Sequence, residues 1–313
     1  MTAGRNSWEL LRALGAVADS PAAARAVGPA LGLPGVTDAE HTAVFVLNCP
    51  PYAAIYLGPD GGLGGEGADR VAGFWRALGI TPPAEPDHLA ALLGLYTRLG
   101  EAADGASRPA TAAALARSRA VLLAEHLWPW LPGYLDAMTS LDAPALAAWA
   151  RLAQRALAAE HAAVHPAGRA AGPAGTAPDG RLPLALRAAP AGLTAQGRVG
   201  DLTAALTTPV RCGMILTRQR LAAGAGQAAV GHRIGERRFT LRAMLDQDPA
   251  ATLGWLAAEA RRWQARHARR ADPTSRWWAA RAGQTAALLA SSAGLAGSAG
   301  LAGSAGEMAQ PVR

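Results

Sequence analysis

Residues 81–99, TPPAEPDHLAALLGLYTRL, contain the change from a proline-rich loop to an apolar helix around which we expect the chain to be organised. Apolar residues recur at helical spacing from Leu89 to Tyr96, which predicts that they share one helix face. Pro86 suits the first helical position, because its missing N–H would have no partner there. Glu85 and Asp87 would then flank the positive end of the helix dipole, where a carboxylate is favoured by roughly 0.3–1 kcal/mol.

The composition favours helices and an intracellular protein. Half of the 313 residues are hydrophobic, Ala and Leu dominate, and β-branched residues are few. This length supports a substantial core in one large domain or two modest ones. The two cysteines, Cys49 and Cys212, lie far apart and outside any CxxC pattern. They imply neither a disulfide framework nor a cysteine metal site, and we expect a cytoplasmic location.

Short polar residues ahead of apolar or proline-led segments mark further helix starts. Thr37 begins a capping-box pattern that Glu40 completes, and Thr217 precedes another helical segment. Asp248 and Asp272 each stand before a proline that suits the first turn of a helix. No alternating β pattern is present, so the sequence predicts an all-α fold with a single bundle domain of about ten helices.

Composition divides the chain into four predicted regions. Residues 1–164 form an N-terminal helical region, and residues 165–200, rich in Pro, Gly and Ala, form a loop or linker. Residues 201–290 supply the C-terminal helices of the same bundle. Residues 291–313 contain LAGSAG twice, and we expect a disordered tail there. Neither an export signal nor a membrane-spanning segment is expected.

The charge of the chain is polarised. Residues 1–150 hold 9 Arg and 14 Asp+Glu (9 − 14 = −5), whereas residues 151–313 hold 21 Arg and 9 Asp+Glu (21 − 9 = +12). A basic half can bind nucleic acid, and an acidic half can bind a basic peptide. Five arginines lie on one predicted helix: Arg261, Arg262, Arg266, Arg269 and Arg270. Without a recognition-helix motif they favour a solvated face, and a nucleic-acid-binding regulator stays the alternative function.

A glycine pattern, GLGGEG at residues 62–67, satisfies GxGxxG and follows the short apolar run 53–57. Such a pattern can bind a dinucleotide when it follows a β-strand and when an acid ends a second strand about 20 residues on. Here the acids follow Thr81-Pro82-Pro83, which is unsuited to the end of a central strand. A simple glycine turn is therefore the favoured interpretation.

Metal and nucleophile patterns are weak. His161 and His165 have the i, i+4 spacing of two ligands on one helix face, but no third ligand lies nearby in the sequence. Histidines in the last turn of a helix are also favoured by its dipole. Neither a GxSxG segment nor a Cys/His pairing at a familiar spacing is present. We therefore expect no enzyme activity, no catalytic residue, no metal and no cofactor.

Two groups of acids and histidines lie among aromatic residues. The acids and histidines are Glu85, Asp87, His88, Glu125 and His126, and the aromatic residues are Tyr52, Tyr56, Tyr96, Trp128 and Trp130. Carboxylates beside an apolar surface suit a peptide that has arginines next to an apolar run. The simpler alternative is that the acids cap helices and the aromatic residues fill the core.

Two segments resemble the TorD/DmsD/NarJ family of redox-enzyme maturation chaperones. EPDHLAALLGLYTRLGE at 85–101 is similar to the E-P-D-H segment of that family, and LLAEHLWPWLPGYLDAM at 122–138 is similar to its helix ending in E-H-L-x-x-W-x-P. Supporting stretches lie at 50–66 and 70–80, and the likeness covers roughly 40–160. The insert at 165–200 and the LAGSAG tail depart from a typical member.

The resemblance implies a TorD-like, all-helical cytoplasmic chaperone without catalytic activity. Its implied partner is the catalytic subunit of a molybdopterin-dependent oxidoreductase, bound by the twin-arginine signal peptide or the mature body until the cofactor is inserted. Nucleic acid and stable membrane insertion are not implied, and a monomer or a domain-swapped dimer is open. The residues carried over as peptide-binding are Glu85, Pro86, Asp87, His88, Glu125, His126, Trp130 and Pro132. We add Tyr96 as part of an apolar groove near Trp130.

Overall fold

The computed structural model describes residues 2–164, 182–194 and 199–307, and every regular element in them is helical, which confirms the all-α prediction. A 3₁₀ turn spans Pro29–Leu31, and two π-helical segments span Thr42–Asn48 and Leu122–Leu127. The α-helices are α1 (Thr2–Asp19), α2 (Pro21–Val27), α3 (Asp38–His41), α4 (Ala53–Leu57), α5 (Gly65–Ala77), α6 (Leu89–Asp104), α7 (Pro109–Val121), α8 (Leu131–Met138), α9 (Pro144–Val164), α10 (Leu184–Arg187), α11 (Val199–Leu206), α12 (Pro209–Cys212), α13 (Arg218–Gln227), α14 (Arg237–Gln247), α15 (Pro249–His267) and α16 (Pro273–Glu307).

These sixteen helices exceed the ten or so predicted, because several are very short. Helices α3, α4, α10 and α12 have only four or five residues each. An apolar repeat becomes visible only over windows of roughly 11–18 residues, so the sequence pattern does not separate such helices from loops. Of the helices described, none is both long and apolar enough to cross a bilayer.

The predicted helix starts at four short polar residues are confirmed. The hydroxyl of Thr37 accepts a hydrogen bond from the backbone N–H of Glu40 at 3.1 Å. Three further caps share this i to i+3 geometry: Thr217 with Arg220 at 3.0 Å, Asp248 with Ala251 at 2.8 Å, and Asp272 with Ser275 at 3.0 Å. Each side chain satisfies an N–H of the first turn that has no partner within its own helix.

The start of α6 differs from the prediction. Pro86 lies before the helix, which begins at Leu89 with His88 as its N-cap residue. The Nδ1 atom of His88 accepts a hydrogen bond from the backbone N–H of Ala90 at 3.2 Å. Pro86 is excluded from the first turn because Asp87 is engaged with the start of α4.

The last helix extends into residues 291–313, which the sequence predicts to be a disordered tail. Helix α16 continues through both LAGSAG repeats to Glu307, and residues 308–313 lie outside the described residues. Ala and Leu are strong helix formers, and extending an existing helix avoids the cost of a new nucleus. Within the predicted linker, Leu184–Arg187 form α10, whereas residues 165–181 and 195–198 lie outside the described residues.

The chain divides into two compact units, residues 1–189 and 190–313. In the first unit α1 packs against α6, and the indole N–H of Trp149 on α9 donates to the carbonyl of Leu14 on α1 at 3.1 Å. In the second unit α15 packs along α16, with Trp263 buried between them and their neighbours. The division falls within 165–200, and the four-region assignment stays a prediction.

Candidate functional site

The E-P-D-H segment is joined to the start of α4 by a short antiparallel pairing. Tyr52 and His88 form an isolated β-bridge. The backbone N–H of Ala53 donates to the carbonyl of Asp87 at 3.1 Å, and that of Leu89 donates to the carbonyl of Pro51 at 2.8 Å. These backbone bonds hold the segment in one position beside α4.

Asp87 is a helix cap for α4. Its Oδ2 atom accepts a hydrogen bond from the backbone N–H of Ala54 at 2.9 Å, and the residue is only 3% exposed. Burial raises the pKa of Asp87, while its backbone hydrogen bonds act in the opposite direction. The predicted peptide-binding carboxylate is thus occupied in holding two segments of the protein together.

His88 is buried beside Tyr52. The two rings meet edge to face with their centroids 4.8 Å apart. Burial lowers the pKa of His88, although the neighbouring carboxylates of Glu85, Asp19 and Asp87 favour its charged form. The neutral imidazole is therefore favoured, which agrees with its role as an acceptor in the cap of α6.

Two exposed carboxylates accompany Tyr52 and His88, and we call these four residues the Asp19–Glu85 patch. The partly exposed Tyr52 interacts with Glu85. The pKa of Tyr52 is raised to about 12, first by burial and then by Glu85, with Asp87 and Asp19 adding to the effect. Within the residues the structure describes, neither Asp19 nor Glu85 forms an ion pair with an arginine.

Asp19 is a member of this patch that the sequence motifs do not indicate. It is the last residue of α1, and its charge acts on Tyr52, His88 and His41. It also stands directly before Ser20, the N-cap residue of α2. A carboxylate at this place is unfavourable to the dipole of α1 and favourable to that of α2. No local sequence pattern therefore singles out Asp19.

The second motif lies in the π-helical segment Leu122–Leu127. The Oε2 atom of Glu125, which is half-buried, accepts a hydrogen bond from the backbone N–H of Leu184 at 2.7 Å. His126 is buried, and its ring centroid lies 4.9 Å from that of Phe74. Burial, with a smaller contribution from the charge of Arg70, lowers the pKa of His126 to about 4.

Tyr96, Trp130 and Pro132, which the sequence assigned to peptide binding, are buried in the structure. Tyr96 is buried and its hydroxyl donates to Oε2 of Glu160 at 2.9 Å. Trp130 is also buried, and its indole N–H donates to the carbonyl of His126 at 2.9 Å. Pro132 lies in the same core. These residues belong to the core of the first unit, and the groove stays a prediction.

Both motifs instead contact the same two helices. In the first motif, Asp87 caps α4 and the carbonyl of Pro86 accepts a hydrogen bond from the indole N–H of Trp75 on α5 at 3.3 Å. In the second motif, Trp130 stacks on Tyr56 of α4 with centroids 5.2 Å apart, and His126 contacts Phe74 of α5. The two segments that the sequence singled out are therefore joined through α4 and α5.

The glycine pattern serves packing and turning. The run before it, Ala53–Leu57, is helix α4 and not a strand, which removes the context that a dinucleotide site requires. Gly64 and Gly65 have φ of 74° and 62°, where glycine is favoured. A Cβ at Gly67 would lie 2.8 Å from the Cα of Ala54, so its missing side chain permits α5 to approach α4.

His161 and two arginines of α15 are engaged in ring contacts or ion pairs. The ring of His161 stacks on Trp128 with centroids 3.7 Å apart, and His165 lies outside the described residues. In the described part of the chain, no three His, Cys, Asp or Glu residues are grouped to hold a metal ion. On the basic helix α15, Arg262 pairs with Glu259 at 2.8 Å and Arg266 lies over the ring of Trp263.

Comparison with known proteins identifies one family. Residues 35–136 match the family model described as "Nitrate reductase delta subunit". A search of curated proteins and a search of solved structures found no match. The matched region runs from just before α3 into α8 and contains both motifs together with α4 and α5. Residues 35–136 of this chain therefore carry the pattern of the nitrate reductase delta subunit family, a family of NarJ/TorD-type chaperones, as the resemblance predicts.

Proposed function

We propose that this protein is a cytoplasmic maturation chaperone that binds the catalytic subunit of a molybdopterin-dependent oxidoreductase through an arginine-containing segment, such as a twin-arginine signal peptide. The family match supports the chaperone role. The observation that carries the peptide proposal is the pair of exposed carboxylates, Asp19 and Glu85, near Tyr52 and without an arginine partner in the described residues.

The exposed pair differs from Asp87. Asp87 caps α4 and is buried, whereas Asp19 and Glu85 are exposed and have no arginine partner in the described residues. The charge of the exposed Glu85 acts on Tyr52, which is itself partly exposed. A carboxylate can bind a guanidinium group through two parallel hydrogen bonds, and a tyrosine ring can stack on its face. The Asp19–Glu85 patch therefore suits two neighbouring arginines.

In this proposal the remaining motif residues position the patch. Asp87 and His88 fix the segment that carries Glu85. Three residues contact α4 or α5, namely Pro86, His126 and Trp130. The others lie in the core or at its edge: Tyr96 and Pro132 are buried, and Glu125 is half-buried. Direct contact with the client is thereby assigned to Asp19, Tyr52 and Glu85.

Calorimetric titration of a synthetic twin-arginine peptide tests the proposal. Replacing Asp19 by Asn or Glu85 by Gln should each weaken binding about three- to ten-fold, as expected for loss of one charge-assisted pair at a surface. Binding should also weaken as salt is added, because the contacts are exposed. Glu9→Gln is the matched control, since Glu9 is an exposed carboxylate on the same helix α1.

A second peptide, with both arginines replaced by lysine, separates guanidinium recognition from simple charge attraction. It should bind more weakly than the twin-arginine peptide to the wild type, and the two peptides should bind equally to the Asp19→Asn, Glu85→Gln double variant. Unchanged affinity of the twin-arginine peptide for that double variant would remove the Asp19–Glu85 patch from the site.

A further inference from the structure

The loop between α13 and α14 exposes apolar side chains. Ile234 is 88% exposed, and Phe239, in the first turn of α14, is 51% exposed. We call Arg233, Ile234 and Phe239 the Ile234 tip. The Ile234 side chain adds nothing to the core of the second unit, and exposed apolar side chains that stand together can mark a contact with a partner or a membrane.

Hydrogen bonds hold this loop in place. The side-chain amide of Gln247 accepts from the backbone N–H of Gly231 at 2.7 Å and donates to the carbonyl of the same residue at 3.0 Å. The hydroxyl of Thr240 donates to the carbonyl of Arg233 at 2.9 Å. The backbone is thus held immediately before Ile234, so little backbone entropy is lost when the loop meets a partner.

The charge around the tip is positive. Between Gly231 and Phe239 the chain has three arginines and one glutamate (3 − 1 = +2). The carboxylate of Glu236 is occupied as the N-cap of α14, where it accepts from the backbone N–H of Arg238 at 2.9 Å. The next acid along α14, Asp246, pairs with Arg242 at 2.8 Å. Arg233 is exposed and forms no ion pair among the residues described.

We propose that the Ile234 tip is a peripheral contact for an anionic lipid bilayer surface. Ile234 and Phe239 would enter the boundary between headgroups and acyl chains, while Arg233 would meet lipid phosphates. The bilayer is favoured over a protein partner because a protruding side chain needs a matching pocket in a protein, whereas a fluid interface accommodates it directly. With so little apolar surface, the contact is weak and reversible.

This inference is independent of the Asp19–Glu85 patch. The tip lies in the second unit and outside the residues matched by the family model. The bilayer proposal concerns the location of the protein, whereas the Asp19–Glu85 patch concerns the peptide that the protein binds. The two proposals can therefore succeed or fail separately, since peptide titration needs no lipid and vesicle binding needs no peptide.

Flotation of the full-length protein with vesicles tests the inference. We expect binding to vesicles containing about one-third phosphatidylglycerol, little binding to pure phosphatidylcholine, and loss of binding at high salt. Ile234→Ser and Arg233→Gln should each lower the partition coefficient roughly five- to ten-fold. Excess soluble glycerol phosphate should not release the protein, because a free headgroup offers no apolar phase.

Matched controls use side chains elsewhere in the second unit. Leu295→Ser removes another aliphatic side chain that is 75% exposed, and Arg269→Gln removes another exposed arginine. Both should stay within two-fold of the wild type. Absence of binding to the anionic vesicles would overturn the inference. So would equal losses in the control and tip variants, or release by glycerol phosphate, which would indicate a site for a free anion.

Discussion

The carboxylate of Asp87 and the backbone N–H of Ala54 lie 2.9 Å apart, and this hydrogen bond joins segments separated by 33 residues. It makes the acid of the E-P-D-H motif a cap for a helix that is distant in the sequence. That helix, α4, also carries Tyr56, on which Trp130 of the second motif stacks. The two motifs are therefore joined through α4.

Replacement of Asp87 by Ala should lower the free energy of unfolding by about 2 kcal/mol, because α4 loses its cap and a buried N–H loses its acceptor. Asp87→Asn retains an acceptor oxygen and should cost less than half as much. Urea unfolding followed by tryptophan fluorescence measures both values. Asp69→Ala, at an exposed carboxylate on α5, should change stability by less than about 0.5 kcal/mol. If the urea concentration at the midpoint of unfolding were the same for Asp87→Ala as for the wild type, the capping role of Asp87 would be contradicted.

Acid should destabilise the protein partly through His126. Its pKa in the folded state is about 4, below the ordinary value of 6.5, because burial disfavours the charged ring. Between these two values the unfolded chain binds a proton that the folded protein does not. The contribution of His126 to the free energy of unfolding is therefore fully present above pH 6.5. It falls by at most about 1.4 kcal/mol per pH unit as the pH drops towards 4.

The His126→Gln variant isolates that contribution. Its free energy of unfolding should fall less between pH 7 and pH 5 than that of the wild type, by about 1–2 kcal/mol. His232→Gln, which replaces an exposed histidine, serves as the control and should keep the wild-type dependence. Parallel curves for wild type and His126→Gln would show that His126 is not the group that resists protonation.

Two glycines on α5 should respond in opposite ways to the same substitution. Gly67→Ala places a Cβ 2.8 Å from the Cα of Ala54, and backbone must move, at a cost of roughly 1–3 kcal/mol. Gly73→Ala meets open space, and should stabilise the helix by about 0.5–1 kcal/mol. Thermal unfolding of the two variants measures the difference. Equal shifts of the two melting temperatures would exclude close packing at Gly67.

Ala229, at the end of α13, has φ of 53°, a left-handed conformation that costs an L-residue about 1–2 kcal/mol. Ala229→Gly should relieve this strain and, after the extra chain entropy of glycine, stabilise the protein by about 0.5–1 kcal/mol. The same change at the exposed Ala223 inside α13 should destabilise it by about 1 kcal/mol. Chemical unfolding checks both signs, and a loss of stability for Ala229→Gly would contradict the left-handed conformation.

Helix caps were predictable where cap and partner are neighbours in the sequence. Thr217 and Asp248 each bond an N–H three residues on, and that distance is set by the helix itself. Asp87 has the same chemistry but caps a helix 33 residues earlier, which no local pattern indicates. For the same reason the sequence assigned Pro86 to the first turn of α6, whereas the structure begins that helix at Leu89.

The candidate site was predictable only in part. The motifs identified Glu85 and the segment that carries it, but Asp19 becomes part of the patch only because the end of α1 lies near Tyr52. The sequence around Tyr96 and Trp130 is as typical of a buried core as of an apolar groove. Burial depends on what packs over a side chain, and its own sequence neighbours do not specify that.

The sequence by itself determined the helical class, most helix starts and the likeness of residues 35–136 to a chaperone family, because helix hydrogen bonds and caps act over three or four residues. Only the tertiary structure decided that Asp87 caps a helix distant in the sequence while Asp19 and Glu85 stay exposed. That choice arises from contacts between segments far apart along the chain, where burial and partner geometry set the state of each side chain.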